Sequence, residues 1–419
     1  MFKEKMTSTE RRAVGSLASI MSLRLIGLFM VLPVFALYAH TLNYATPFLI
    51  GLAVGIYGLT QGLLQIPFGM LSDHIGRKPV IAGGLVLFAL GSLLAAFSHS
   101  IYAMLAGRAL QGAGAIGSTV IAALADLTRE DQRTKAMAIN GITIGTSFSV
   151  AMMLGPLLAA GISVSGIFGL AAVFSVIGVI ILFVGVPVIP HSEWHGDVEA
   201  EKSQFFAMLI QPQLARLNLG AFLLHAIFTA SFIVIPISLQ NNAGMASSKQ
   251  WIVYVPTLLL AFFCSILMIA IAEKKHLVKP FFIAGICLIL ASEAVLMLGA
   301  YHLISSALGL LLFFTGFSLL EAFLPSYVSR SAPKSRKGTV TGIYSCAQFL
   351  GIFAGGALGG WLYGSTGLLQ VYLLCIGLAI LWLAIAFGMK NPQHSTTQQA
   401  PSSQTLAPDG QLFTDGRIT

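Results

Sequence analysis

FLIGLAVGIYGLTQGLLQIPFGMLSDHIGRKPVIAGGLVLFALGSLLAAF, from Phe48 to Phe97, holds two long apolar runs parted by the short charged stretch Ser72 to Lys78. A bilayer core requires ~20 apolar residues of helix at ~1.5 Å each, and each run has that length. The stretch therefore reads as a hairpin of two membrane-spanning helices. Windows of ~19 residues extend the pattern in both directions. Spans are predicted near 14–39, 48–70, 79–97, 101–125, 134–159 and 163–187, and again near 215–240, 251–272, 279–299, 303–328, 338–363 and 367–388. Over all 419 residues, 56% are apolar and 9% charged, with a mean hydropathy of +0.86. Such a chain cannot cover a water-soluble surface, which excludes nucleic-acid modules and most soluble enzymes. The fold class is thus an all-α membrane protein with twelve transmembrane helices.

Positive charge sets the sidedness. With the N-terminus in the cytosol, twenty of the 23 Lys and Arg residues fall in cytosolic segments, Arg24 and Arg108 lie within spans, and only Lys249 falls in an outer loop. Both termini are therefore expected in the cytosol. The run before the first span is followed by an apolar segment too long for a cleavable leader, so residues 1–13 are expected to persist as a cytosolic segment. The expected organisation continues with a six-helix bundle over 14–187, a cytosolic central loop over 188–214, a second bundle over 215–388 and a polar, disordered cytosolic tail over 389–419. The halves echo each other. Asp73 and Pro79 correspond to Glu273 and Pro280, and Gly141 to Gly342, at an offset of about 200 residues. An even number of spans per half makes these two parallel repeats.

Several local patterns carry chemistry or mimic it. Gly112-Ala-Gly114-Ala-Ile-Gly117 spells a dinucleotide fingerprint, but inside an apolar helix its glycines are read as helix packing. Gly351, Gly355 and Gly359 form a smooth stripe for the same purpose. Cys264, Cys287, Cys346 and Cys375 lie in apolar runs without metal or redox spacing and read as small buried hydrophobes. His191, Glu193, His195 and Asp197 lack a ligand register and an enclosing shell, so no metal site is assigned. Phe205, Phe206, Met208, Leu209 and Ile210 read as an amphipathic segment at the inner interface. Ionisable groups inside spans are costly and mark function or pairing. Arg24 and His225 fall ~15 Å from their cytosolic helix ends and Glu321 ~12 Å from its own. Glu321, Glu293 and His225 are candidates for carrying protons, since desolvation favours a neutral carboxyl. Arg24, Arg108, Gln111, Gln61, Gln65 and Gln348 are candidates for lining a substrate cavity.

The run Gly69-Met-Leu-Ser-Asp73-His-Ile-Gly76-Arg77-Lys78 resembles the loop signature G-x-L-[AS]-D-R-x-G-R-[RK] of the major facilitator superfamily, with His74 in place of the usual Arg. Arg108-Ala-Leu-Gln111-Gly112 resembles its R-x-x-Q-G element. Gly145 with Gly155-Pro156 resembles the helix-5 element of its exporters, although Ala159 and Ala160 stand where those have glycines. From Thr9 to Lys390 the chain resembles this superfamily, and its first half the YajR-type proton-driven exporters, which carry a small soluble domain where this sequence ends in about thirty polar residues. The resemblance implies that Asp73 meets the start of helix 11, Gly338 to Gly342, and that Arg77 pairs with Asp126. Gly69, Asp73, Gly76, Arg77, Lys78, Asp126 and Gly338 would then form a cytosolic gate.

The resulting expectation is a bacterial inner-membrane, multi-pass secondary transporter that exports a small amphipathic molecule in exchange for protons. It is expected to be no enzyme, to need no cofactor or metal, to bind no nucleic acid, and to work as a monomer in the lipid bilayer. A proton-coupled importer is the first alternative, left open by the incomplete Gly155-Pro156 element, and a non-transporting membrane sensor the second.

Overall fold

A computed structural model describes residues 5–189, 208–333 and 337–389. Its helices are α1 Ser8–Phe29, α2 Leu32–Ala39, α3 Pro47–Ile75, α4 Arg77–Ala96, α5 Ile101–Ala113, α6 Gly117–Asp126, α7 Glu130–Gly185, α8 Pro212–Asn241, α9 Trp251–Lys274, α10 Val278–Leu298, α11 Leu303–Ser331, α12 Lys337–Thr366 and α13 Leu368–Phe387. Among the described residues no strand forms, only an isolated bridge between Asn43 and Ser100. The expected disorder of 389–419 falls, beyond Met389, outside the described residues, as do the central-loop readings at His191 to Asp197, Phe205 and Phe206.

Three details differ from a plain series of twelve straight rods. The first span is α1 and α2, parted at Met30 and Val31. The fourth, expected to be continuous, is α5 and α6 with a break at Gly114 to Ile116. The fifth and sixth are two helices that meet end to end within α7, parted where Ser163 adopts a non-helical backbone with φ of 63°. At the predicted turn, which contains Gly161, Ser163 alone takes the whole change of direction. Helix starts follow local chemistry. Thr7 and Glu10 exchange hydrogen bonds of 3.1 and 2.8 Å in a capping box. Thr46 caps α3 ahead of Pro47. Gly76, at φ 95°, turns α3 into α4 in a single residue, a backbone conformation that costs glycine little.

The ends of the two repeats are tied in the same way. Arg12 donates to the Val184 carbonyl and Lys78 to that of Val186, each at 2.6 Å, at the end of α7. Arg216 donates to the Gly388 carbonyl and Lys279 to that of Met389, each at 2.6 Å, at the end of α13. In both halves, cations beginning one helix satisfy the orphan carbonyls that end another.

Helix α12 joins the halves. Gly351, Gly355 and Gly359 lie against the α8 backbone at Phe222, Ala226 and Ala230, so the predicted stripe is a contact face. On its other side Gly356 and Gly360 meet Gly51 and Gly55 of α3. Small residues let backbones approach to dispersion contact where lipid offers no hydrophobic drive. The α3–α12 contact runs from Pro47 and Gly364 to Gly62, whose carbonyl accepts from the Cys346 thiol at 3.2 Å. Nearer the side that carries the chain ends, the helices no longer interlock: a Cβ added at Gly338 or Gly342 would meet nothing within 4 Å. At mid-depth Phe148 of α7 reaches across the halves, 5.6 Å from Phe228 and 5.1 Å from Phe317 between ring centres. The halves are thus sealed on one side and parted on the terminus-bearing side. Cys375 is buried as expected, whereas Cys287 is exposed on the outer surface of its helix.

Candidate functional site

Polar side chains gather in the interior of both bundles. In the first, Arg24 of α1 is 2% exposed. Its guanidinium donates to Gln61 Oε1 at 2.6 Å, the Gly114 carbonyl at 2.9 Å and Tyr57 Oη at 3.1 Å, and lies over the Phe88 ring. Gln61 donates on to Gln65 at 2.8 Å. No carboxylate joins this set among the described hydrogen bonds and ion pairs. The cation is held by dipoles and a ring face, which compensate the desolvation of a buried charge. The break between α5 and α6 has a role here, because a carbonyl outside the i→i+4 ladder is free to accept from Arg24. Arg24 is thus enclosed within the first bundle in this state, with partners from α3 and the α5–α6 break, while its Nε has no hydrogen-bond partner among the described residues.

Arg108 is likewise internal. It donates to the Ala53 carbonyl at 3.2 Å and Gln111 Oε1 at 2.8 Å, with Tyr57 as a second face, and Gln111 donates to Ser92 at 2.8 Å. Arg24, Gln61 and Gln65 thus form one network and Arg108 with Gln111 another, with Tyr57 between them.

The second bundle assembles what the sequence offered singly. His225 of α8, Glu321 of α11 and Gln348 of α12 converge. Gln348 Nε2 donates to Glu321 Oε1 at 3.1 Å and lies 3.4 Å from His225 Nε2, which is 3.7 Å from Glu321 Oε2. The other ring nitrogen, Nδ1, faces the Ala221 carbonyl at 2.9 Å, which fits the tautomer that donates from Nδ1 and leaves Nε2 as the acceptor. The Glu321 side chain is 27% exposed, while its Oε2 is buried without a hydrogen-bond partner among the described residues. Phe317 packs on the His225 ring and joins the group to the aromatic seal at Phe148. Glu293 of α10 is elsewhere, fully buried, accepting from Ser231 at 2.7 Å.

At the terminus-bearing side the loop signature is assembled. Arg77 is paired with Asp73, donates to Asp126 at 2.9 Å and to Ser72 at 2.7 Å. Asp126 and Lys78 lie in the same groove, while Gly69 packs on Ser118. Asp73 is 41% exposed, and its described ion pair is with Arg77, not with the start of α12 at Gly338, which is separated from it in this state. In α7, Gly155 lies so close to the Met30 carbonyl that a Cβ would overlap it, with Pro156 next in the chain, while Gly145 faces open space.

Sequence reasoning missed Tyr57, Ser231, Phe148 and the Gly114 carbonyl. Tyr57 could have been found four residues before Gln61 on one helix face. The others become visible only when helices are placed side by side. It also missed Glu10, buried and bonded to the Arg129 backbone and side chain at 3.0 and 3.1 Å, which ties the chain start to the head of α7.

This architecture has known counterparts. The inner membrane transport protein YajR of Escherichia coli K12 is 43% identical over 393 residues, 93% of this chain and 86% of that one. The class B tetracycline resistance protein of Escherichia coli is 32% identical over 131 residues, 30% of this chain and 32% of that protein. In fold, the crystal structure of the human organic anion transporter MFSD10 superposes with a TM-score of 0.68 at 21% identity, covering 91% of this chain and all of that one. A sequence profile of the Major Facilitator Superfamily matches residues 17–356 and again 326–418. With two six-helix repeats around a mid-depth polar site and a profile match over most of its length, the chain belongs to the Major Facilitator Superfamily of transporters.

Proposed function

We propose that this transporter is a proton-coupled antiporter of the inner membrane, exporting a small amphipathic molecule by alternating access as a monomer. The observation that carries the reading is the convergence of His225, Glu321 and Gln348 from three helices at the head of the opening between the halves. A carboxylate and an imidazole 3.7 Å apart can exchange one proton, and the halves part on the terminus-bearing side. With the Lys- and Arg-rich ends in the cytosol, that side is the inner one, and the state is inward-open. Residues 14–187 and 215–388 would be the rocking units, joined by 188–214. Rocking about the α3–α12 contact would break the outer glycine interlock and bring Asp73 to the start of α12. The apolar and aromatic surface beneath Phe148 suits an amphipathic substrate. The partial likeness to a tetracycline resistance protein supports export over import.

The test is proton movement in proteoliposomes challenged with a library of amphipathic compounds. Export in exchange for protons should appear with at least one compound in wild type, and Glu321→Gln should lose gradient-driven transport while retaining binding of that compound. Co-directional movement of compound and proton would replace antiport by symport. Wild-type rates in Glu321→Gln would remove that residue from the coupling.

A further inference from the structure

Glu293 is not part of the His225–Glu321 group, yet it is the most deeply buried carboxylate described. Its Oε1 accepts from Ser231, and its Oε2 has no partner among the described residues. The groups that face it are polar and uncharged: Ser231 of α8, and Cys375 and Tyr372 of α13. No described ion pair reaches it. An ionised carboxylate here would be stranded, since burial without a cation costs several kcal/mol or more by any reckoning. The site suits a carboxyl that holds a proton and gives it up only in another conformation.

Its surroundings lead outward. Tyr372 neighbours Ser238 as well as Glu293, and Tyr254 of α9 neighbours Tyr372. The Tyr254 phenol oxygen is buried without a hydrogen-bond partner among the described residues, and that of Tyr372 lies against Ser238. Tyr254 lies three residues inside α9, Tyr372 four inside α13 and Ser238 three from the end of α8, all at the side opposite the chain ends. In the other direction, Ser231 and His225 share α8, six residues and ~9 Å apart along its axis. Ser238 and Ser231, seven residues apart, share one face of α8, whereas His225, six before Ser231, lies ~120° around the helix.

We propose that Glu293 is a proton-loading site on the outer side of the pair His225–Glu321, reached past Tyr254 and Tyr372 and emptied toward that pair. The proposal rests on the proton-coupled reading above and adds a second carboxyl to it. Loading places one proton on Oε2 and makes the group neutral. Ser231 keeps its bond to Oε1 or turns to the Ile227 carbonyl, 2.8 Å away. Unloading restores the carboxylate while the same proton neutralises Glu321 or charges His225, so the proton count within the bundle is unchanged by the transfer. In this state Ser231, which holds Glu293, and His225 stand ~9 Å apart along α8, so the transfer waits for a change of conformation.

The experiment is a pH jump on full-length protein reconstituted in one orientation on a solid-supported membrane, with the transient charge movement recorded and no substrate required. Acidifying the outer side should displace charge in wild type. Glu293→Gln, which retains the shape and an acceptor for Ser231, should lose most of that displacement at unchanged thermal stability, and Tyr372→Phe should slow it several-fold. Glu321→Gln should leave the outer loading step intact and remove only the response to a jump on the inner side. Displacement of wild-type size and rate in Glu293→Gln overturns this proposal alone. Absence of any proton-driven displacement in wild type overturns it together with the antiport reading.

Discussion

Gly51 offers a direct way to move the transporter between its states. Alanine there would place a methyl group 2.7 Å from Gly360 Cα and 2.9 Å from Gly360 N, and closer still to the Gly356 carbonyl oxygen. All three are backbone atoms, so no rotamer change relieves the overlap. Helix α12 cannot retreat either, because Gly351, Gly355 and Gly359 hold its far side against α8. Overpacking of this kind costs ~1–3 kcal/mol. The cost falls only on the state in which α3 and α12 touch at this end, since with the outer ends parted the methyl meets solvent. A bias of ~1–3 kcal/mol shifts a two-state equilibrium ~5- to 150-fold. Spin labels at Phe48 and Ser365 would report the outer ends and labels at Met70 and Thr339 the inner ends, in a background lacking the four cysteines. In Gly51→Ala the outer distances should lengthen and the inner ones shorten. Gly83→Ala, where a Cβ meets nothing within 4 Å, should leave both distributions as in wild type. Distributions in Gly51→Ala that match wild type would refute the argument that this contact belongs to one state, whatever happens to stability.

Three further outcomes are expected. Gly355→Ala, which overlaps the Ala226 carbonyl within the second bundle, should lower the thermal midpoint without changing either distance distribution, because both states contain that contact. A cysteine at position 24 should resist water-soluble thiol reagents with or without substrate, since Arg24 is buried inside the first bundle; rapid labelling would place the position on a cavity wall after all. Asp73→Asn should lower the population with closed inner ends, read by the Met70–Thr339 pair. A helix-end charge contact contributes ~0.3–1 kcal/mol when exposed, so the shift should be under about tenfold, and no shift at all would reduce the signature to a turn.

Much of the fold was legible in one dimension. Whether a segment spans a bilayer depends on the apolar length it presents, and which way it faces depends on the charges that flank it. Both are sums over neighbours in sequence, which is why the span limits, from Phe48 to Met70 through Gly367 to Gly388, fell within a few residues of the helices formed. The Arg77–Asp126 pair followed from resemblance in the same way. The single residue that carries a change of direction was not legible. Ser163 bends α7 and Gly114 interrupts the fourth span for reasons that lie in neighbouring helices.

The candidate site divided along the same line. Sequence alone marked Arg24, His225, Glu293 and Glu321 as out of place in hydrocarbon, because the cost of a polar group in lipid belongs to the residue itself. Which of them meet was decided by the tertiary structure. His225, Glu321 and Gln348 come from helices 96 and 27 residues apart in the chain, at 225, 321 and 348, and their contact depends on how α8, α11 and α12 are rotated about their axes. That rotation is set by the glycine faces that allow two backbones to touch. The same packing buried Arg24 among dipoles, isolated Glu293 beside Ser231, and left Asp73 apart from Gly338, because contacts between helices depend on the state of the whole bundle and are not written into any one span.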